Sequence, residues 1–325
     1  MTVRFIPDDA PPIQPYAGYL RMWLAEGFLG LARTWGADRF PLLHGGVSLT
    51  FLGSERATFT TLNRPPDAWR APGAQLNFPI TTLLPFNGGT VEVEAALYEA
   101  REDGPLGTAI DLLGGFAALM GPPLATAASI AEKVSEGLDT VVSATGSAPA
   151  LALHATMVSP GGGPNVLRPG HLVVLNSNEA GLAGVPEIHN GQLNLRSATS
   201  CEPPVGLDYL VVRIECRTER DDWRFPELDL LVRTAGDALI RGHRDTYDDV
   251  RKNAIARAWN SDDLTPGDRR RVALLVADEL DALDRHGIVP GADRSLSDLA
   301  STRLAHPDDP RLRDLTLGGL LGSGR

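Results

Sequence analysis

Val47–Leu62 reads VSLTFLGSERATFTTL. Val47–Leu52 and Ala57–Leu62 alternate apolar residues with Thr or Ser, and Gly53–Arg56 can turn between them. A side-chain period of two sends alternate residues to opposite faces, so the stretch predicts a β-hairpin with one apolar face. The pattern continues downstream. Gln75–Leu84 is strand-like but carries Pro79, which cannot donate to a ladder and marks an edge or a bulge. Asn87-Gly88-Gly89 is a turn signal, and Thr90–Ala100 alternates after it. Ala150–Met157, His171–Leu175, Glu187–Leu195 (turning at Asn190-Gly191) and Leu207–Thr218 complete about eight short strands. Strands and helices do not alternate regularly, so a doubly wound sheet is disfavoured.

Helical patterns interrupt and follow these strands. Tyr16, Tyr19, Leu20, Trp23, Leu24, Phe28, Leu31 and Trp35 recur at three- and four-residue spacing, which predicts an amphipathic helix over 16–35 packed on the sheet. From Leu106 to Ala131 the only charge is Asp111, and Gly121-Pro122-Pro123 divides the stretch. It reads as an inserted helical hairpin, 105–145, with arms too short to cross a bilayer. Pro226–Arg241, Asp245–Trp259 and Pro266–Arg285 carry helical stripes. Thr265 is suited to cap the last of them, with Pro266 in its first turn and Asp268 following. The fold class expected is α+β. An antiparallel β-sandwich-like module, with an N-terminal helix and the inserted hairpin, covers 1–225. A helical module covers 226–287, and 288–325 forms a loosely ordered tail.

Composition follows the same division. Of the 71 Asp, Glu, Lys and Arg residues, 29 lie in 1–205, about 14% of that stretch. The other 42 lie in 206–325, about 35%. Both parts are acidic and the net charge is −11, which disfavours nucleic acid as a partner because phosphate binding needs clustered cations. Only Lys133 and Lys252 are lysine, a bias that points to a GC-rich, bacterial coding sequence. Cys201 and Cys216 could form one disulfide but fit no metal-binding spacing. Met1–Pro12 lacks the cationic start and apolar run of a signal peptide, so the expected location is cytoplasmic.

Motifs that carry chemistry are few. GxSxG, HExxH and GxxxxGK[ST] are absent, and His243-Arg244-Asp245 matches a kinase catalytic loop in letters only. Ser159–Asn165, SPGGGPN, offers converging backbone N–H groups. Yet a strand follows it instead of a helix, so a loop between sheets is expected. Glu99, Glu102 and Asp103 follow one strand, and Glu219, Asp221 and Asp222 follow another. Brought together, those carboxylates could hold Ca²⁺; otherwise no cofactor is implied. His44, His154, His171 and His189 have no spacing that specifies a catalytic set.

Three functional readings follow. The first is a non-enzymatic interaction protein, an adaptor, regulator or assembly component of a bacterial system that binds another protein or itself. The second is a membrane-active effector that uses the hairpin residues Leu112, Leu113, Phe116, Leu119, Met120, Leu124 and Ile130 after a conformational change or proteolysis. The third is a hydrolase with dispersed residues, His154 and the acidic strand tips first among them.

Overall fold

The computed structural model describes residues 1–30, 39–51, 55–63, 72–101, 149–286 and 295–322. The predicted hairpin 105–145 lies outside the described residues. The chain divides into two compact units, Met1–Arg217 and Thr218–Arg325.

Among its described residues the first unit is built mainly of antiparallel sheet. One sheet has the order β1 (Thr2–Pro7), β9 (Gly170–Leu175), β13 (Tyr209–Arg217), β2 (Tyr19–Phe28). Two two-residue strands, β5 (Phe78–Pro79) and β6 (Leu84–Pro85), then pair with the other edge of β2. Pro79 sits on that edge strand, where a missing N–H costs least. A second sheet has the order β4 (Glu55–Asn63), β3 (Arg39–Phe51), β7 (Thr90–Arg101), β8 (Leu151–Val158). Val47 faces Phe59 and Val93, so the alternation in Val47–Leu62 does set the register.

The two sheets close on one core. Leu20, Met22 and Leu24 from β2 and Leu210, Val212 and Ile214 from β13 meet Leu43, Val47, Val91, Val93, Leu97 and Leu153 of the other sheet. The approach is tight where β2 faces β3. A Cβ on Gly45 would stand 2.8 Å from Ile80 Cδ1, and one on Gly27 would enter the Leu43 side chain. The loop Ser159–Asn165 leads from β8 toward β9, joining the sheets. Its polar groups are used locally: Gly162 N–H donates to Ser159 O at 2.9 Å, and Gly89 N–H to Ser159 Oγ at 2.6 Å.

A third, smaller sheet, β10 (Val185–His189), β11 (Gln192–Arg196) and β12 (Cys201–Glu202), covers part of the outer face of the six-stranded sheet. Leu193 packs there against Ala25, Phe28, Val173, Leu175, Tyr209 and Val211. β10 and β11 turn at Asn190 (φ 51°) and Gly191 (φ 76°). Two successive positive φ values are what a tight two-residue hairpin turn requires.

The predicted helix over 16–35 is corrected: Tyr19–Phe28 is a strand between β13 and the β5/β6 edge. The inner face of β2 enters the sandwich core, and its outer face is covered at one end by the small sheet. Burial on both faces fills in the alternation and leaves apolar residues at helix-like intervals. β1 and β12 were not expected from the sequence.

The second unit is helical: α1 (Pro226–Ile240), α2 (Arg244–Trp259), α3 (Pro266–His286), α4 (Leu296–Arg303) and α5 (Leu317–Gly322). Trp223 and Phe225 pack in its core, so the boundary falls before them, at Arg217/Thr218. Thr265 caps α3 as expected, with Asp268 N–H donating to its hydroxyl at 3.4 Å. The expected loose tail is also corrected over 295–322. Leu296, Leu299, Leu312 and Leu320 are buried in the helical core. Two buried arginines pin it further: Arg251 donates to Leu320 O at 3.2 Å and Arg271 to Ala305 O at 2.6 Å. Ser295 and Asp298 form a reciprocal cap at the start of α4.

Candidate binding face

From Val212 onward β13 alternates strictly. Val212 and Ile214 enter the core, while Arg213, Glu215 and Arg217 stand on the outer face of the six-stranded sheet. β2 answers in the same phase, with Leu20 and Met22 inward and Arg21 and Trp23 outward. Antiparallel pairing sets Arg21 opposite Glu215 and Trp23 opposite Arg213, and His171 of β9 lies on the far side of Arg213. Residues nearly 200 positions apart in sequence thus form one row.

Glu215 is the hub. It accepts from Arg21 at 3.0 and 3.2 Å, from the Trp23 indole Nε1 at 2.8 Å and from Arg217 Nε at 2.5 Å. Arg213 Nη2 stands 3.8 Å away. Burial by itself would raise the Glu215 carboxyl, but the bonds from Arg21, Trp23 and Arg217 outweigh it and hold it at about 2. Two cations approach the Trp23 ring, with the Arg21 guanidinium carbon 4.8 Å and that of Arg213 5.1 Å from the ring centroid. Three guanidiniums around one carboxylate leave the row cationic. Arg213 and Arg217 remain 37% and 38% exposed, and Arg213 Nε has no hydrogen-bond partner.

At the margin, His171 Nδ1 is 3.5 Å from Asp8. Burial lowers the imidazole below its ordinary value against the pull of Asp8, and Arg213 lowers it further. Cys216, on the inner side of β13, is a half-buried free thiol pushed up to about 12 by desolvation. Cys201 is also free, and its thiol donates to Glu187 at 3.3 Å. The disulfide that the sequence allowed is not formed.

The residues singled out from sequence fall elsewhere. Leu112, Leu113, Phe116, Leu119, Met120, Leu124 and Ile130 lie outside the described residues, as do Glu102 and Asp103. Glu99 is exposed on β7 in the sheet unit, whereas Glu219, Asp221 and Asp222 belong to the helical unit. There Glu219 is 4.0 Å from Arg271, and Asp222 pairs with Arg220 at 2.9 Å. Among the described residues no group of three or more His, Cys, Asp or Glu is placed to hold a metal ion. His154 pairs across strands with Glu94 at 3.2 Å in the open, and His44 bonds Thr60 at 2.9 Å. Among the described residues no helix is long and apolar enough to cross a membrane.

The row itself was missed at the level of sequence. Its signal was the period-two alternation in Leu20–Leu24 and Val212–Arg217, hidden in the first case by the helical reading. No protein-family model matches this chain, and no curated protein matches it either.

Proposed function

We propose that this chain is a non-enzymatic binding protein whose recognition face is the Arg21–Trp23–Arg213–Arg217 row, and that its partner is an acidic segment of another protein. One observation carries the reading: an indole contacted by the Arg21 and Arg213 guanidiniums and bonded to a shared carboxylate, with Arg213 and Arg217 still over a third exposed. Arginine and tryptophan are the residues that most often anchor interfaces, and side chains already fixed in place lose little entropy on binding. A cationic row favours a carboxylate-rich surface and disfavours a cationic one.

The test is titration of the full chain with an Asp/Glu-rich peptide and with its Asn/Gln counterpart, followed by tryptophan fluorescence at low and high salt. The acidic peptide is expected to bind, with an affinity that falls as salt rises and drops about tenfold or more in Arg213→Ala. The neutral peptide is expected not to bind. Equal binding of both peptides, or of neither, removes the reading. Concentration-dependent sedimentation without peptide would instead identify a second copy of the chain as the occupant.

A further inference from the structure

The other end of the same outer face holds a buried acid. Leu20, Met22 and Leu24 face the core, so simple alternation would aim Glu26 into the sandwich. A bulge prevents this. Val211 pairs with Glu26 and Val212 with Leu24, so Ala25 is an extra residue on β2. Ala25 then joins the outer apolar cluster, and Glu26 lies beneath the three-stranded sheet, fully buried.

The small sheet needs this carboxyl. The two-residue turn makes His189 and Gln192 the hydrogen-bonded pair, so Ile188 and Leu193 form the next, non-hydrogen-bonded pair. Leu193 N–H therefore points away from β10. β12 pairs only with Leu195 and Arg196 and does not reach it. Glu26 Oε1 accepts that N–H at 2.7 Å, doing for β11 what a neighbouring strand would do. The Tyr209 hydroxyl faces the same carboxyl group and accepts Gly73 N–H at 2.6 Å, while Gln192 Nε2 donates to Gly73 O at 2.8 Å. Among the described residues Glu26 Oε2 has no hydrogen-bond partner. Around the group β9 supplies Val173 and Leu175, β11 Leu193, the adjoining loop Gly73 and β13 Val211 and Tyr209. Tyr209 is the titratable group among them.

We propose that Glu26 is a proton-operated latch that fastens the three-stranded sheet to the six-stranded one, gripping when neutral and loosening when ionised. Neutral, the group still accepts from Leu193 N–H through its carbonyl oxygen. Ionised, it faces no counter-ion among the described residues, and local opening lets water reach it. Burial raises the carboxyl from its ordinary value to about 7. The closed form thus holds a proton that the open form releases between the ordinary carboxylate range and about 7. The grip is greatest below that window, declines as pH rises through it and is least above it. Loosening uncovers Phe28, Tyr209 and Val211, so the latch controls an apolar face distinct from the arginine row.

Amide exchange at Leu193 and Gly73 in the intact chain, corrected for the intrinsic pH dependence, tests this. Protection is expected to fall about tenfold per pH unit across the window and then level off. In Glu26→Gln the slope is expected to vanish, while β3 and β7 amides keep one protection level in both proteins. No slope in the native chain, or the same slope in E26Q, overturns the latch. Should E26Q fail to fold, carbon-13 titration of the Glu26 carboxyl in the native chain decides. A midpoint near 7, with the Leu193 amide moving in step, supports the proposal. A midpoint in the ordinary carboxylate range overturns it.

Discussion

Glu26 and Glu215 stand on one face of one sheet, on adjacent strands, and their environments drive them in opposite directions. Glu215 is ringed by Arg21, Arg217 and the Trp23 indole, and is held at about 2. Glu26 has a backbone N–H and a phenol, and is raised to about 7. Burial penalises the charged form of both, and more at Glu26, which is fully buried, than at Glu215, whose side chain is 17% exposed. The donors aimed at Glu215 then outweigh its smaller burial penalty, and those at Glu26 do not. One end of the face is consequently a permanently charged, preorganised surface. The other end is neutral or charged according to pH, and it is covered.

The largest expected effect breaks the charged end. Glu215→Ala leaves three guanidiniums and an indole N–H without their shared acceptor, and should cost the sheet unit about 3 kcal/mol. Residue-resolved exchange along β13 would register it, and β13 protection at the native level would show that the arginines find other partners. Next, Glu26→Gln should stabilise the same unit by roughly 2 kcal/mol at pH 8 and leave it unchanged near pH 4. A variant equally stable with the native chain at pH 8 would show that the ionised carboxylate is solvated in place.

The two acids also predict opposite pH slopes. The Glu26 contribution is present below the ordinary carboxylate value and is lost as pH rises through about 7. That of Glu215 is present above the ordinary value and is lost as pH falls through about 2. Stability of the sheet unit should therefore peak in the ordinary carboxylate range, and denaturation at a series of pH values checks it. A peak at neutral pH would mean that other groups dominate.

Smaller changes sharpen the contrast. Trp23→Phe keeps a ring beside the guanidiniums but removes the 2.8 Å bond to Glu215, a loss of about 1 kcal/mol. Tyr209→Phe should shift the Glu26 midpoint upward from about 7, because the phenol favours the ionised carboxylate. An unchanged midpoint would leave Leu193 as the only bond that matters there.

Much of the sheet architecture was legible in local patterns. Val47–Leu62 has one face in the core, so its alternation survives and its register follows. Asn190-Gly191 announces its hairpin because few residues accept two positive φ values. β2 was not legible in that way. Its two buried faces erase the polar alternation, and Tyr19, Trp23 and Phe28 then fall at helix-like intervals. The closing segment misled for another reason. Its Pro, Asp and Gly content reads as loose chain, and what orders it is the burial of Leu296, Leu299, Leu312 and Leu320 together with two arginines, Arg251 and Arg271, turned inward from helices. Nothing in an Arg codon tells which way the side chain will face.

The sequence by itself determined the kinds of element and most of the turns, because alternation, capping and positive φ are properties of near neighbours. It also showed a change in charge density between 1–205 and 206–325, since charge density is additive along a chain. Only the tertiary structure decided which carboxylates matter. Arg21 meets Glu215 through antiparallel pairing of strands 194 residues apart, and Glu26 misses the core through a single extra residue at a bulge. The energy of a charge depends on what surrounds it in space, and for these two glutamates the surroundings come almost entirely from distant parts of the chain.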